Sequence, residues 1–125
     1  MENRVEALAA LEAVLSKIMA DLGMAPEDHR DFTWLREVIL MAVRDPMTWE
    51  TQYAEKIGKR EGITRERVRQ ILHKAAWNGW NADSKEILEK HFGTDVSMNF
   101  EYAKPNHMEF VKLLASALRD REFEG

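Results

Sequence analysis

Residues 53–77 read YAEKIGKREGITRERVRQILHKAAW. The stretch divides into a helix, a tight turn and a second helix. Ile57 is apolar, and Gly58 is small enough to let two helices approach. Gly62 stands where the chain must reverse, a place that favours positive φ. Ile63 then plugs the turn. Thr64 follows with a hydroxyl suited to accept from an orphan N–H of the next helix. Val68, Ile71, Leu72 and Ala75 recur at helical spacing and predict a buried stripe. These offsets form the pattern of a helix-turn-helix, placed at about residues 47–77. Glu61 departs from it, since an apolar residue is usual just before the turn.

The outward side of the second helix carries the chemistry. At about 100° per residue, Glu66, Gln70, His73 and Trp77 lie opposite Val68. Arg67 and Lys74 flank that row on one side and Arg69 on the other, with Arg65 nearer the helix start. Arginine can fork onto guanine O6 and N7, and glutamine can pair with adenine N6 and N7. The blander alternative is a solvated charged helix face.

The charge distribution favours a nucleic-acid surface. The whole chain carries −4. Residues 52–80 nevertheless hold seven cations (Lys56, Lys59, Arg60, Arg65, Arg67, Arg69, Lys74) against three acids, a local +4 that leaves −8 on the remainder. A basic face on an acidic body steers a polyanion to one surface. With 125 residues and no cysteine, the chain is one domain's worth of sequence, able to bury a core without disulfides. The missing cysteines exclude a thiolate zinc site and a catalytic thiol, and fit a reducing cytoplasm. No apolar run is long enough to span a membrane, and the first residues, MENRVEALAALEAVLSKIM, do not form a signal peptide.

Working outward, Leu8, Leu11, Leu15, Ile18 and Leu22 give a first helix over residues 2–22, closed by Gly23. A second helix is expected from Pro26 at its N1 position to Asp45-Pro46. It is apolar nearly all round through Trp34, Leu35, Val38, Ile39, Leu40, Met41, Ala42 and Val43, and so central. The first helix of the helix-turn-helix is expected over residues 46–59, with Trp49, Tyr53 and Ile57 inward. The second should run from Thr64 to Trp77 and break at Asn78-Gly79. Asp83 and Glu86 suggest a capping box for a short helix ended by Gly93. Residues 94–105 alternate in polarity and are expected to be an ordered loop. Asn106, with Glu109, should cap a last helix carrying Phe110, Val111, Leu114 and Leu118 inward, after which the tail should fray, with Phe123 a docking candidate. The expectation is an all-α bundle of about six helices in a single domain, residues 1–125.

Other chemistries find no support in the sequence. His29, His73, His91 and His107 are scattered without metal-ligand spacing. No glycine-rich loop follows a strand, and Ser16, Ser84, Ser97 and Ser116 lie in no nucleophile elbow. The expectation is no enzyme, no cofactor and no metal.

Three stretches carry a family resemblance: TWLREVILMAVRDP at 33–46, ITRERVRQILHKAAWNGW at 63–80 and HFGTDVSMNFEYAKPNHMEFV at 91–111. The last is the most specific, with Phe92-Gly93, Val96-Ser97-Met98 and Lys104-Pro105 ahead of a final helix. From about Leu15 to Leu118 the chain resembles the C-terminal DNA-binding effector domain of the stage 0 sporulation protein A family, response regulators that commit spore-forming bacteria to sporulation. The resemblance implies six helices, transcription regulation through binding of a short promoter box in double-stranded DNA, and tandem homodimers on adjacent boxes. It nominates Arg67, Arg69, Gln70 and His73 as DNA contacts, joined by Thr64, Arg65, Glu66, Lys74, Lys59 and Arg60 from the residue pattern. Arg67 keeps the family's residue type. The family tends to have an acid where Arg69 stands and arginines where Gln70 and His73 stand, so the reading surface is rewritten. Such regulators also carry an N-terminal phosphoacceptor domain, whereas this chain starts at the first effector helix. If it is the whole product, aspartate phosphorylation does not control it in cis. Two functions follow as expectations: a sequence-specific DNA-binding regulator, or a protein-interaction module that pairs with a full-length regulator and modulates it.

Overall fold

The second helix is the hub on which four of the other helices pack. A computed structural model describes residues 2–93 and 106–124, and among these it contains six α-helices: α1 Glu2–Asp21, α2 Arg30–Arg44, α3 Glu50–Glu61, α4 Arg65–Gly79, α5 Ser84–Phe92 and α6 His107–Glu124. Helix α2 lies against α6, α4, α1 and α3. Helix α3 packs on α4, α4 also on α6, and α1 on α5. The expected all-α bundle of six helices is what the described residues form.

The core follows from the apolar stripes. Leu15, Ile18 and Met19 of α1, and Leu22 just past its end, join Trp34, Leu35, Val38 and Ile39 of α2 in one core. Ile57 of α3, Val68 and Leu72 of α4, Leu88 of α5 and Phe110, Leu114 and Leu118 of α6 complete one continuous cluster, all of them fully buried. Burying such side chains is worth about 1.5–3 kcal/mol each against exposure, and α2 collects this from four neighbours at once. Its near-continuous hydrophobicity has that cause.

Several boundaries differ from the sequence expectation. Helix α2 starts at Arg30 and not at Pro26. Residues 25–28 form a turn closed by Asp28 N–H donating to the Ala25 carbonyl at 3.0 Å, and the Thr33 hydroxyl pins that turn by donating to the Pro26 carbonyl at 2.8 Å. His29 takes the N-cap, its Nδ1 accepting from the Asp31 amide at 3.1 Å. Helix α3 likewise begins at Glu50 and not at Pro46, because Asp45 organises its own turn: its carboxylate accepts from Met47 N–H at 3.0 Å and its carbonyl from Thr48 N–H at 3.0 Å. Trp49 thereby becomes the N-cap residue and points outward, 67% exposed, the reverse of its expected inward place. Helix α4 continues through Gly79 before ending at Trp80. The Asp83 capping box does not form. Asp83 has helical backbone and makes no cap bond; Asn81 and Ser84 build the turn, with Asn81 N–H donating to the Ser84 hydroxyl and Asp83 N–H to the Asn81 side chain, both at 2.8 Å.

At α6 the capping box is reciprocal. The Asn106 side chain accepts from Glu109 N–H at 2.9 Å, and the Glu109 carboxylate accepts from Asn106 N–H at 3.1 Å. The expectations for residues 94–105 and for Phe123 lie outside the described residues and side chains.

Candidate nucleic-acid interface

Helices α3 and α4 are joined by Gly62, Ile63 and Thr64. Gly62 adopts φ 71°, the left-handed conformation in which glycine escapes the Cβ penalty. Its N–H and that of Ile63 both reach the Gly58 carbonyl, closing the end of α3 in the manner of a Schellman turn. Gly58 is needed for space: a Cβ there would sit 2.8 Å from the Ile63 carbonyl oxygen. The Thr64 hydroxyl then accepts from Arg67 N–H at 3.0 Å and starts α4. The turn residues singled out in the sequence therefore make the turn they were expected to make.

Helix α4 buries Val68, Ile71, Leu72, Ala75 and Ala76. Thr64, Arg65, Glu66, Arg67, Arg69, Gln70, His73, Lys74 and Trp77 are exposed. The structure thus places the candidate residues of α4 together on one solvent-facing surface, with Lys59 and Arg60 exposed near the turn.

Their cations are not equally free. Arg60 forks onto both Glu37 oxygens of α2, 2.9 Å to Oε2, and its Nε donates to Glu61 at 2.8 Å. These bonds, Glu37 first and Glu61 second, raise its pKa above the ordinary arginine value. Arg60 is a tie between α3 and α2. The same arrangement explains Glu61, whose carboxylate is occupied by Arg60 although its position would ordinarily take an apolar side chain. Arg69 is bound twice as well, its Nε 2.6 Å from Glu50 of α3 and its Nη1 donating to Glu66 at 2.9 Å. Lys59 meets Glu55 at 3.2 Å but remains 78% exposed, so water screens that pair. Among the described residues Arg65, Arg67 and Lys74 make no ion pair; Arg67 has only a long, 3.5 Å hydrogen bond to the Gln70 side-chain oxygen.

Between this face and the start of α2 lies a groove of about 630 Å³, with Arg67, Gln70, Lys74 and Asn78 on the α4 side and Asp28 to Phe32 on the other. Arg67, Gln70 and Lys74 therefore share one wall.

Beneath Arg69 lies a buried polar cluster that the sequence did not reveal. His107, the first residue of α6, is 4% exposed. Its Nε2 is 2.9 Å from Glu50 Oε2 and 2.9 Å from the Tyr53 hydroxyl, and its ring meets His73 edge-on at 6.2 Å. Burial chiefly, then the neighbouring His73 and Arg69, lowers its pKa from 6.5 to about 4. The neutral ring donating from Nε2 to Glu50 satisfies both groups. Burial and Glu50 raise the Tyr53 hydroxyl pKa, so it stays protonated. The available signal was the position of His107: with Phe110, Val111 and Leu114 at i+3, i+4 and i+7, it belongs to the core stripe of α6.

His73 stacks on Trp77 with ring centroids 5.9 Å apart. Elsewhere Met47, Trp49 and Met108 are also exposed, and Trp49 and Met108 line a second groove of about 240 Å³ beside α6.

Among the described residues no group of His, Cys, Asp or Glu is arranged to hold a metal ion, and no helix is long and apolar enough to cross a membrane. No family model matches the chain.

Proposed function

We propose that the chain is a DNA-binding transcription regulator that inserts α4 into the major groove, as a helix-turn-helix of the kind found in the sporulation response regulator effector domains it resembles. The observation that carries this reading is the exposed α4 surface on which Arg67 and Gln70 adjoin Arg65 and Lys74 without an intramolecular carboxylate on any of these cations. Arg67 and Gln70 lie in the first two turns, the half of a recognition helix that meets base edges. They read the bases, while Arg65, Lys74 and Lys59 hold phosphates. Tandem homodimers on adjacent boxes extend the reading along the duplex. The test is selection of bound sequences from a random duplex library at fixed salt, followed by anisotropy on the selected box. An enriched motif lost in Arg67→Ala supports the proposal. Binding indifferent to sequence contradicts it.

A second reading has its own motivation. The exposed Met47, Trp49 and Met108, two of them lining the α6 groove, suit a protein partner, and a domain that docks on a full-length regulator would use them. Retained binding to such a regulator with no selected DNA motif supports this alternative.

A further inference from the structure

Arg69 lies on the exposed side of α4, flanking the Glu66–Gln70 row opposite Arg67, and is held differently. Its Nε sits 2.6 Å from one oxygen of Glu50, and its Nη1 donates to Glu66 at 2.9 Å. Glu50 is fixed in turn, because its second oxygen receives His107 at 2.9 Å. His107 is almost fully buried and shares Tyr53 with the core of α3. The carboxylate is therefore anchored through two helices other than α4, and only 14% of its side chain is exposed. To reach a base, Arg69 would have to leave both acids. Glu50 would then remain mostly enclosed beside a neutral imidazole without its cation, a state that is costly for a desolvated charge. Arg67, two residues earlier, has no such tether.

We infer that Glu50 is a specificity-determining residue that withholds Arg69 from DNA, so that Arg67 and Gln70 read alone. The inference rests on the DNA-binding reading above. Glu50 acts through Arg69 and touches no base itself. It works as an internal phosphate mimic, a carboxylate occupying the guanidinium that a phosphate or guanine would otherwise take. Releasing Arg69 would add a guanine-seeking fork to the reading face and change the preferred box without altering any residue at the protein–DNA contact.

The test is a double-mutant cycle of Glu50→Gln and Arg69→Ala, read as binding profiles over a duplex library. Glutamine keeps the size of Glu50 and an oxygen for His107 but loses the charge that holds Arg69. Glu50→Gln is expected to gain a guanine preference at one additional position and about one further unit of salt slope, as one more phosphate or base contact requires. Arg69→Ala is expected to cost about tenfold in the Glu50→Gln background and less than twofold in the wild-type background. Removing an acid near DNA also lessens general repulsion, but that gain would persist when Arg69 is alanine. Equal costs of Arg69→Ala in both backgrounds overturn the inference and leave the DNA-binding reading standing. A second measurement does not depend on DNA. The Arg69 Nε–H in the free protein should give a resolved, slowly exchanging NMR signal that Glu50→Gln abolishes while the Thr64-capped amide of Arg67 is unchanged. A fast-exchanging Arg69 Nε–H in the wild type overturns the latch. If the latch signal is present but no variant binds any duplex, the DNA-binding reading fails, and with it the inference drawn about specificity.

Discussion

The Cα of Gly58 faces the carbonyl of Ile63 so closely that a methyl group there would lie 2.8 Å from the oxygen. That same Gly58 accepts the Ile63 amide through its own carbonyl at 3.0 Å. The two residues thus fix how tightly α3 turns into α4. Gly58→Ala gains helix propensity of about 0.5–1 kcal/mol but must push the turn backbone aside, an overpacking cost of about 1–3 kcal/mol. The expected result is net destabilisation of about 1 kcal/mol, seen as a lower urea midpoint with unchanged m-value. An unchanged or raised midpoint would show that the turn gives way freely.

What could be read from the sequence was local. Gly62, Thr64 and the Val68–Leu72 stripe lie within one short segment, and each acts on neighbours a few residues away, so the turn and the exposed α4 face follow directly. The Asn106–Glu109 box is equally local. Helical spacing carried back to Pro46 puts Trp49 inward, but the Asp45 side chain starts a separate turn there. Pro26 misled for the opposite reason: proline suits N1, but the Thr33 hydroxyl uses its carbonyl to hold a turn. The ion pairs that sort the cations were not legible. Arg60 meets Glu37 across 23 residues and His107 meets Tyr53 across 54. No periodicity encodes such pairings; packing of α2, α3 and α6 does.

Stability should depend on pH through His107. Its folded pKa, about 4, lies below the unfolded value near 6.5. The unfolded chain therefore binds the proton first, and stability is fully present above about pH 6.5 and declines as pH falls toward 4. Between pH 7 and 4.5 the loss from this group is about 2–3 kcal/mol. His107→Gln should flatten that limb of the curve relative to wild type in urea titrations at each pH, since other carboxylates titrate alike in both. Parallel curves would mean that His107 titrates alike in the folded and unfolded chain, and a wild-type gain over His107→Gln at low pH would mean that it is protonated in the fold, paired with Glu50.

Salt should weaken DNA binding in proportion to the cations left free. Of the six cations nominated as DNA contacts, Lys59, Arg65, Arg67 and Lys74 are the four not fixed by a part-buried carboxylate. If each displaces one condensed counterion, log K falls with log salt at a slope of about −3.6. The measurement is anisotropy on a fixed duplex from 50 to 300 mM salt. A slope near zero removes phosphate contact from the account, and a slope of about −5.4 would mean that Arg60 and Arg69 leave their acids on binding.

Variants on the two sides of the turn should separate reading from holding. Gln70 and Arg67 share one exposed wall of α4 and touch each other. Each replaced by alanine should cost about 1–3 kcal/mol on the best site and relax preference at one or two base pairs. Lys59 precedes the turn and is largely in solvent. Lys59→Ala should weaken all sequences about equally and lower the salt slope by about one unit. Glu66 is the control on the same face: because it holds Arg69 and is itself an acid, Glu66→Ala should not weaken non-specific binding. Profiles of all four variants over one duplex library make the comparison. Should Gln70→Ala and Lys59→Ala give the same profile, α4 is not the reading helix. Should neither change binding while a full-length regulator still associates, the exposed apolar groove beside α6 becomes the surface to mutate next, beginning with Trp49.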